Sequence, residues 1–236
     1  MNVDAIVLAG GLGTRLRGVL PHLPKAMAPV GGRPFLDYVL HWLRGQGVPR
    51  VVLATGHMRQ AITDHVGQSW GGMPVRYSEE QSPLGTGGAV RLALEHCTSG
   101  TVIVLNGDTW FPVNLPALLA FHQQSEAGVT LAAARVPDVS RYGALEVDDA
   151  GRVLAFAEKG RQGAGVINGG VYALRRELLR DWAPGEVFSL ERDLLLPAAT
   201  RSLVRAWPSD APFLDIGVPE DLARAEHILP QNKEIR

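Results

Sequence analysis

The chain has 236 residues, of which 46% are hydrophobic and 20% are charged, and its formal net charge is -1. This size and this balance are typical of a globular protein with one sizeable core, and we expect a single domain over residues 1–236. The near-neutral charge offers no overall attraction to nucleic acid or to an acidic membrane surface, so we expect neither as a partner.

The first apolar run, residues 3–8, predicts a strand. It is too short for a signal peptide or a membrane span and no basic leader precedes it, so we expect a cytoplasmic protein. Helical periodicity then alternates with further strand-like runs. The helices are predicted at residues 34–46, 58–66 and 87–96, and the strands at residues 50–54, 74–78 and 101–105. This alternation predicts an α/β fold with a parallel sheet and crossover helices.

The run at residues 102–105 is apolar on both faces, which is typical of a central strand covered by helices. Asn106, Gly107 and Asp108 follow it directly, so the Asp108 carboxylate is expected at the carboxyl end of a strand. In open α/β sheets that edge binds ligands, and the loop after the first strand lies at the same edge.

A helix predicted at residues 114–124 precedes a change of pattern, which divides the domain into residues 1–125 and 126–236. The later strands are shorter and alternate more nearly between apolar and polar residues, which favours mixed or antiparallel pairing. They are predicted at residues 129–135, 143–147, 153–157 and 166–173. We also expect a hairpin turn at residues 148–151, a mobile loop at 160–165 and a final helix at 219–229 before a polar tail.

Glycines follow the first strand closely, at Gly10, Gly11 and Gly13. Because glycine has no Cβ, the backbone can approach a ligand and turn its N–H groups toward it. Arg15 and Lys25 add a planar fork and a point charge, which can grip different parts of a triphosphate. The pattern therefore predicts a polyphosphate site.

Two better-known glycine loops do not fit. A dinucleotide fingerprint that began at Gly11 would need glycine at position 16, where the chain has Leu16. A dinucleotide-dependent oxidoreductase is excluded on this ground. A P-loop would need Gly-Lys followed by Ser or Thr, but Gly13 is followed by Thr14 and Arg15. A glycine-rich turn that merely joins a strand to a helix remains an alternative for the loop alone.

Taken together, eight segments in order along nearly the whole chain resemble the sugar-1-phosphate nucleotidylyltransferases, also called nucleoside-diphosphate-sugar pyrophosphorylases. They are LAGGLGTRL (8–16), PKAMAPVGGRPFL (24–36), EQSPLGTGGA (80–89), NGD (106–108), YG (142–143), EK (158–159), NGGVY (168–172) and FLDIGVPEDL (213–222). Within this family, the short chain, the LGTGGA loop and the GGRPFLDY segment are most similar to the D-glycero-α-D-manno-heptose 1-phosphate guanylyltransferases.

The resemblance implies a Rossmann-like, GT-A-like fold: a mixed, mainly parallel central sheet with flanking helices and no C-terminal β-helix. Residues 1–125 would form the nucleotide-binding half and residues 126–236 the sugar-binding half. It also implies a reaction in which a sugar 1-phosphate oxygen attacks the α-phosphorus of a nucleoside triphosphate in line. Pyrophosphate leaves, and Mg²⁺ assists. GTP and D-glycero-α-D-manno-heptose 1-phosphate are the favoured substrates, with GDP-heptose for a bacterial capsule or lipopolysaccharide as the product.

By the same resemblance, four residues are catalytic. Arg15 would hold the β and γ phosphates, Lys25 would bridge toward the reacting phosphates, and Lys159 would take the phosphate of the sugar. Asp108, the fourth, would bind Mg²⁺ together with Asp215, since magnesium prefers a few carboxylates plus phosphate oxygens and water. Taken alone, each aspartate is as well explained as a turn or capping residue.

The resemblance also assigns the binding residues. The nucleotide-binding set is Leu8, Ala9, Gly10, Gly11, Gly13, Thr14, Arg15, Lys25, Glu80, Pro83, Gly85, Thr86 and Gly88. The sugar-phosphate-binding set is Asn106, Gly143, Glu158, Lys159, Asn168 and Gly169. Glu80 occupies the base-reading position. An ionised carboxylate only accepts hydrogen bonds, so it suits guanine, whose N1–H and exocyclic amine are both donors.

Several alternatives stay open at this stage. A uridylyltransferase could tolerate a glutamate at position 80, and a mannose-1-phosphate guanylyltransferase would share the motifs. A non-catalytic regulatory homologue is disfavoured because all the charged catalytic positions are filled. The segment RGVLP (17–21) departs from the Pro-x-Thr that follows the arginine in many relatives, which puts the geometry of that loop in doubt. A homodimer through the second half is left open.

Overall fold

A computed structural model describes residues 2–11, 13, 16 and 18–230. The strands are β1 (Asp4–Leu8), β2 (Pro29–Val30), β3 (Arg33–Pro34), β4 (Val51–Thr55), β5 (Ser69–Trp70), β6 (Met73–Glu79), β7 (Thr101–Asn106), β8 (Thr109–Trp110), β9 (Val129–Val136), β10 (Leu145–Val147), β11 (Val153–Phe156), β12 (Gly165–Arg175), β13 (Val204–Ser209) and β14 (Leu214–Asp215). The α-helices are α1 (Phe35–Gly45), α2 (Arg59–Val66), α3 (Gly85–Ala93), α4 (Leu115–Gln124), α5 (Leu196–Thr200) and α6 (Pro219–Ile228).

Eight of these strands form one sheet in the order β13-β9-β12-β7-β1-β4-β6-β5. β1 pairs in parallel with β4 and β7, and β4 pairs in parallel with β6. β12 is antiparallel to both β7 and β9, whereas β13 is parallel to β9. The predicted fold class, a mixed and mainly parallel sheet with flanking helices, is confirmed.

The core lies in two layers, one on each face of the sheet. Successive side chains of a strand point to opposite faces, so Val7 joins the layer packed by α1, α2, α4 and α6, while the neighbouring Ile6 joins the layer packed by α3 and α5. Both side chains are fully buried. Burial on both faces explains why the central strands read as continuous apolar runs. The functional loops are therefore left at the strand ends.

Most predicted elements agree with the structure to within a few residues, including the hairpin turn between β10 and β11, where the Gly151 amide donates to the Asp148 carbonyl at 2.9 Å. The strand β13 and the helical segment at residues 190–200 were not predicted. Pro208 falls within β13, and Pro197 interrupts the second pattern. The strand tolerates its proline because β13 lies at the edge of the sheet, and the helix tolerates its proline because that residue sits in the first turn of α5.

Among the helices that the structure describes, none combines the length and the apolar character needed to cross a bilayer.

A buried histidine, His122, lies on α4 and is 1% exposed. Its Nδ1 is 2.9 Å from the Thr130 hydroxyl on β9, and its Nε2 has no hydrogen-bond partner in the described part of the chain. Burial, and to a smaller extent the charge of Arg175, lowers the pKa of His122 from 6.5 to about 4. The folded protein therefore holds this imidazole neutral where the unfolded chain protonates it.

This difference predicts that the free energy of unfolding falls as the pH drops from 6.5 toward 4, by up to about 3 kcal/mol from this group. Urea denaturation across that range measures it. The substitution His122→Gln removes the titrating group and should flatten this part of the pH dependence. His227→Gln, at an exposed position on α6, serves as the control and should leave the dependence unchanged. Equal slopes for the wild type and His122→Gln would contradict the assignment.

Candidate active site

The glycine loop lies at the carboxyl end of β1, between the ends of β4 and β7. The Ala9 amide donates to the Ala54 carbonyl at 2.8 Å, and the Gly107 amide donates to the Leu8 carbonyl at 3.0 Å. These bonds hold the start of the loop close against both neighbouring strands. The predicted position of the loop at the ligand-binding edge of the sheet agrees with this arrangement.

Two cavities meet at this loop, and Leu8 and Gly11 line both of them. The smaller, about 230 Å³, is also lined by Ala9, Gly13, Lys25, Asp108 and Gly217. The larger, about 720 Å³, is also lined by Gly10, Glu80, Pro83, Gly85, Thr86 and residues 56–60. The structure thus brings most of the predicted nucleotide-binding residues together. Thr14 and Arg15 lie outside the described residues, so the second predicted cation stays a prediction.

The smaller cavity contains a cation held between two carboxylates. Lys25 Nζ lies 2.6 Å from Asp108 Oδ2 and 3.3 Å from Asp215 Oδ1. Backbone pairing supports this convergence, since β14 pairs with β8 so that Asp215 is opposite Thr109, and the Ile216 amide donates to the Asp108 carbonyl at 3.0 Å. The two aspartates therefore lie on adjoining backbone segments and face one ammonium group.

These two aspartates fit the chemistry of a magnesium site. Their oxygens already converge on one cation, and Mg²⁺ in proteins commonly takes one or two carboxylates and completes its shell with phosphate oxygens and water. Within the described residues, no group of three or more His, Cys, Asp or Glu side chains is arranged to hold a metal on its own. An ion at this site would therefore need ligands from the nucleotide as well.

Gly217 lies directly beside this cation. A Cβ added at Gly217 would lie 2.9 Å from Asp215 Oδ1 and 3.3 Å from Lys25 Nζ. A side chain there would push the carboxylate away from the ammonium. This explains why the segment after Asp215 reads Ile-Gly, although the motif alone did not indicate that contact.

Glu80 occupies the larger cavity at the end of β6. Its Oε2 accepts a hydrogen bond from the Leu84 amide at 2.9 Å, while its Oε1 lies on the side of Gly10. Burial raises the pKa of Glu80, and the bond from Leu84 partly opposes that shift. The fixed side chain leaves one oxygen for a ligand, which suits recognition of N–H groups.

The glycines at the start of α3 allow the backbone of residues 186–188 to pack closely against this helix. Gly85 has φ +73, and a Cβ on it would lie 2.6 Å from the Phe188 carbonyl oxygen. Gly88 is buried with its α-carbon toward the Glu186 carbonyl, so the structure does not bring it to the cavity. Thr86 lines the cavity and also accepts a hydrogen bond from the Leu190 amide at 2.9 Å.

On the sugar side, Asn168 belongs to a polar cluster at an irregularity in β12. Its Nδ2 donates to the Tyr172 hydroxyl at 2.8 Å and to Glu191 Oε1 at 2.9 Å. Its Oδ1 accepts from the Gly170 amide at 3.1 Å, where the pairing of β12 with β9 shifts. Burial raises the pKa of Tyr172, so its hydroxyl stays protonated. Sequence reasoning missed Glu191, whose segment carried no recognised motif.

The other predicted sugar residues occupy two places. Half-buried Asn106 ends β7, and buried Gly169 lies within the neighbouring β12. A Cβ on Gly170 would meet Asn106 Nδ2 at 2.7 Å, and one on Gly169 would meet the ring of Phe111. The rest lie on two neighbouring loops. Gly143, with φ +83, is on the first, and a Cβ added to it would lie 2.6 Å from the Ala157 carbonyl oxygen. Glu158 and Lys159 follow Ala157 on the second loop and are exposed. In the described part of the chain, neither Glu158 nor Lys159 forms a hydrogen bond or ion pair.

An aromatic series links these loops to the aspartates. Phe111 contacts Phe213 edge-on with ring centroids 5.8 Å apart, and Phe213 contacts Tyr142 edge-on at 5.4 Å. Arg141, next to Tyr142, donates to buried Asp221 on α6 at 2.6 Å. These contacts fix the loop that carries Gly143 relative to the β8–β14 pair. The Tyr-Gly motif was visible in the sequence, but its partners were not.

The loop offers a matched pair of glycines for a stability test. A Cβ at Gly10 would lie 2.8 Å from Glu80 Oε1 and 3.1 Å from the Gly56 nitrogen, whereas a Cβ at Gly11 meets nothing within 4 Å. Overpacking of this kind typically costs about 1–3 kcal/mol, so Gly10→Ala should lower the Tm by roughly 5 °C. Gly11→Ala should leave the Tm of the unliganded protein unchanged. Thermal denaturation decides, and equal Tm values for the two variants would show that Gly10 is not sterically required.

Comparisons with known proteins identify the family to which this chain belongs. The family profile described as nucleotidyl transferase matches residues 4–232. The chain is 41% identical to the D-glycero-alpha-D-manno-heptose 1-phosphate guanylyltransferase of Aneurinibacillus thermoaerophilus, over 95% of this chain and 97% of the relative. It is 38% identical to the enzyme of the same name from Campylobacter jejuni, over 93% and 96%. The solved structure of HddC from Yersinia pseudotuberculosis complexed with GMP-PN superposes with a TM-score of 0.85 at 35% identity, covering 95% of this chain and 98% of that one. The chain belongs to the nucleotidyl transferase family.

Proposed function

We propose that this protein transfers GMP from GTP to D-glycero-α-D-manno-heptose 1-phosphate and releases pyrophosphate. The observation that carries the proposal is the Lys25 ammonium, held by Asp108 and Asp215 where the glycine loop meets the Glu80 cavity. One end of this site suits phosphates and the other suits a base. Two relatives that this chain matches over nearly their full length are named heptose 1-phosphate guanylyltransferases, which supports the same substrates.

The chemistry requires no nucleophile from the protein. A phosphate oxygen of the sugar 1-phosphate forms a bond to the α-phosphorus of GTP, the bond from that phosphorus to the β-phosphate oxygen breaks, and pyrophosphate leaves. Catalysis then consists of bringing two anions together and neutralising the charge that develops on them. We propose Lys25 for the reacting phosphates and the backbone amides of the glycine loop for the others. Arg15 is proposed for the β and γ phosphates from its motif alone.

Mg²⁺ is the proposed cofactor. Bound between the nucleotide and the protein, it would neutralise phosphate charge and orient the triphosphate. Asp108 and Asp215 would hold it, because their oxygens converge and two carboxylates match its preference. When a metal and a triphosphate occupy the site together, Lys25 is free to exchange a carboxylate contact for a phosphate contact, since its flexible stem carries a point charge.

Glu80 is the proposed base-reading residue. Its oriented carboxylate can accept from N1–H and from the exocyclic amine of guanine. Uracil and thymine present one such donor, and the pairing edge of cytosine would set two acceptors against the carboxylate. The larger cavity, about 720 Å³, is of the size that ligand pockets commonly have.

For the sugar, we propose Asn168, Gly143 and Glu158 as the positions that contact its hydroxyl groups. Lys159 is proposed to contact its phosphate, and Asn106 and Gly169 are proposed to line the sugar site. Asn168 supports this role best, because Tyr172 and Glu191 fix its amide. An ionised carboxylate accepts hydrogen bonds from hydroxyl groups, an amide can both accept and donate, and either group reads a polyol more selectively when its orientation is fixed.

The cellular setting follows from the substrates. We propose a cytoplasmic enzyme, because nucleoside triphosphates are cytoplasmic, and one that provides an activated heptose for a surface polysaccharide. A homodimer through the second half stays a prediction.

A pyrophosphate-release assay with Mg²⁺ tests the substrates directly. It crosses GTP, UTP, CTP, ATP and dTTP with the 1-phosphates of heptose, mannose, glucose and N-acetylglucosamine, and we expect GTP with the heptose to lead. Glu80→Gln replaces one acceptor by a donor and should raise the KM for GTP about tenfold or more. A wild-type preference for UTP would refute the base-reading role of Glu80. A preference for mannose 1-phosphate would show that mannose 1-phosphate, and not the heptose 1-phosphate, is the substrate that accepts GMP.

The charged cluster predicts large losses of turnover. Lys25→Ala and Asp108→Asn should each lower kcat by about two or more orders of magnitude, because both groups act on charge that develops in the transition state. Asp149→Asn, in the exposed turn between β10 and β11, is the control and should leave kcat unchanged. Circular dichroism checks the fold of each variant. Near-normal rates for a folded Lys25→Ala would remove the lysine from the mechanism.

A further inference from the structure

The larger cavity has a second charged residue that the family motifs do not single out. Residues 56–60 line it together with Glu80. Met58 adopts a left-handed conformation, with φ 58, directly before α2, and the Arg59 amide donates to the Gly56 carbonyl at 3.2 Å. This tight turn places Arg59 at the first position of the helix, on the wall of the cavity.

The arginine is held by the residue next to Glu80. Arg59 Nε lies 3.3 Å from Glu79 Oε2, and both side chains are 42% exposed. Glu79 ends β6 and pairs with Thr55 of β4, so the two strands that precede Arg59 and Glu80 are in register. Within the described residues, no hydrogen bond engages the terminal nitrogens of Arg59. Its outer donors are therefore available in a cavity that Glu80 also lines.

The chemistry of guanine matches this pair of groups. Its N1–H and exocyclic amine are donors, and the adjoining O6 and N7 are acceptors. A carboxylate complements the donors, and the planar fork of a guanidinium complements O6 and N7 in a bidentate contact. Uracil has no adjoining pair of acceptors, cytosine has one on its pairing edge but no adjoining pair of donors, and adenine presents an amine at the O6 position. The Glu80 carboxylate and the Arg59 guanidinium in one cavity could thus bind adjoining edges of one guanine base.

We infer that Arg59 is a second base-reading residue, which donates from its guanidinium to O6 and N7 of guanine while Glu79 positions it. The inference rests on the proposed use of GTP and adds a determinant of that specificity. Glu79 acts only through Arg59 and is not expected to touch the nucleotide.

Two simpler roles make different predictions. An exposed ion pair that only joins α2 to β6 contributes little to stability and nothing to base selection. A contact from Arg59 to the phosphates would strengthen the binding of every nucleotide equally. Only a contact to the base distinguishes GTP from an analogue altered at N7.

The test compares GTP with 7-deaza-GTP, which lacks the N7 acceptor, in the wild type and in Arg59→Ala. We expect the wild type to show a KM about tenfold higher for 7-deaza-GTP, and Arg59→Ala to show a similar rise for GTP. In the variant, the two nucleotides should have equal KM values, because the group that tells them apart is gone. kcat at saturation should change little.

Two further variants complete the design. Glu79→Gln should lose part of the discrimination, because it frees the arginine without removing it. Arg76→Ala removes an exposed arginine on β6 that lines neither cavity, and should behave as the wild type.

The outcomes separate the two proposals. If the wild type prefers GTP but Arg59→Ala still distinguishes GTP from 7-deaza-GTP, or binds all nucleotides more weakly by one common factor, the Arg59 assignment is overturned and the proposed function stands. If the wild type shows no preference for GTP, the proposed function fails and this inference fails with it.

Discussion

One cation between two carboxylates determines the geometry of this site. Lys25 is 15% exposed, and it lies within 3.3 Å of Asp108 and Asp215. In such a partly desolvated place two facing carboxylates repel each other strongly, and an ammonium group makes their convergence stable. The lysine begins a short 3₁₀ helix (Lys25–Met27), whereas Asp108 follows β7 and Asp215 ends β14. The ion pairs therefore connect three separate segments of the chain at one point.

The sheet supplies the frame on which this point is built. Because β1, β4, β6 and β7 run in parallel, their carboxyl ends place Gly10, Glu80 and Asp108 at one edge. Contacts there are so close that a single methyl group at Gly10 would displace the Glu80 carboxylate or the β4 loop. The two cavities thus adjoin at Leu8 and Gly11, which line both of them.

Contacts in the second half of the chain orient Asn168 and the loop that carries Gly143. At the irregularity in β12, Asn168 forms hydrogen bonds with Tyr172 and Glu191. The aromatic contacts from Phe111 through Phe213 to Tyr142 hold the Gly143 loop against the β8–β14 pair. Groups that must read a polyol gain selectivity when their own rotamers are fixed by neighbours. The residues proposed for the sugar and those proposed for the metal are therefore held by contacts within the fold.

The sequence by itself determined the local features: the apolar strands, the helices between them, the glycine loop, and the placement of Lys25 and Asp108 near one sheet edge. Periodicity and turn chemistry are local, so they could not place β13 or the helical segment at residues 190–200, where prolines disturb the pattern. The family resemblance had already paired Asp215 with Asp108, but only the tertiary structure decided that Lys25 lies between them, that Glu191 meets Asn168 and that Arg59 meets Glu79. The physical reason is that each meeting depends on strand register and on the packing of segments far apart in the chain, which no pattern within one segment encodes.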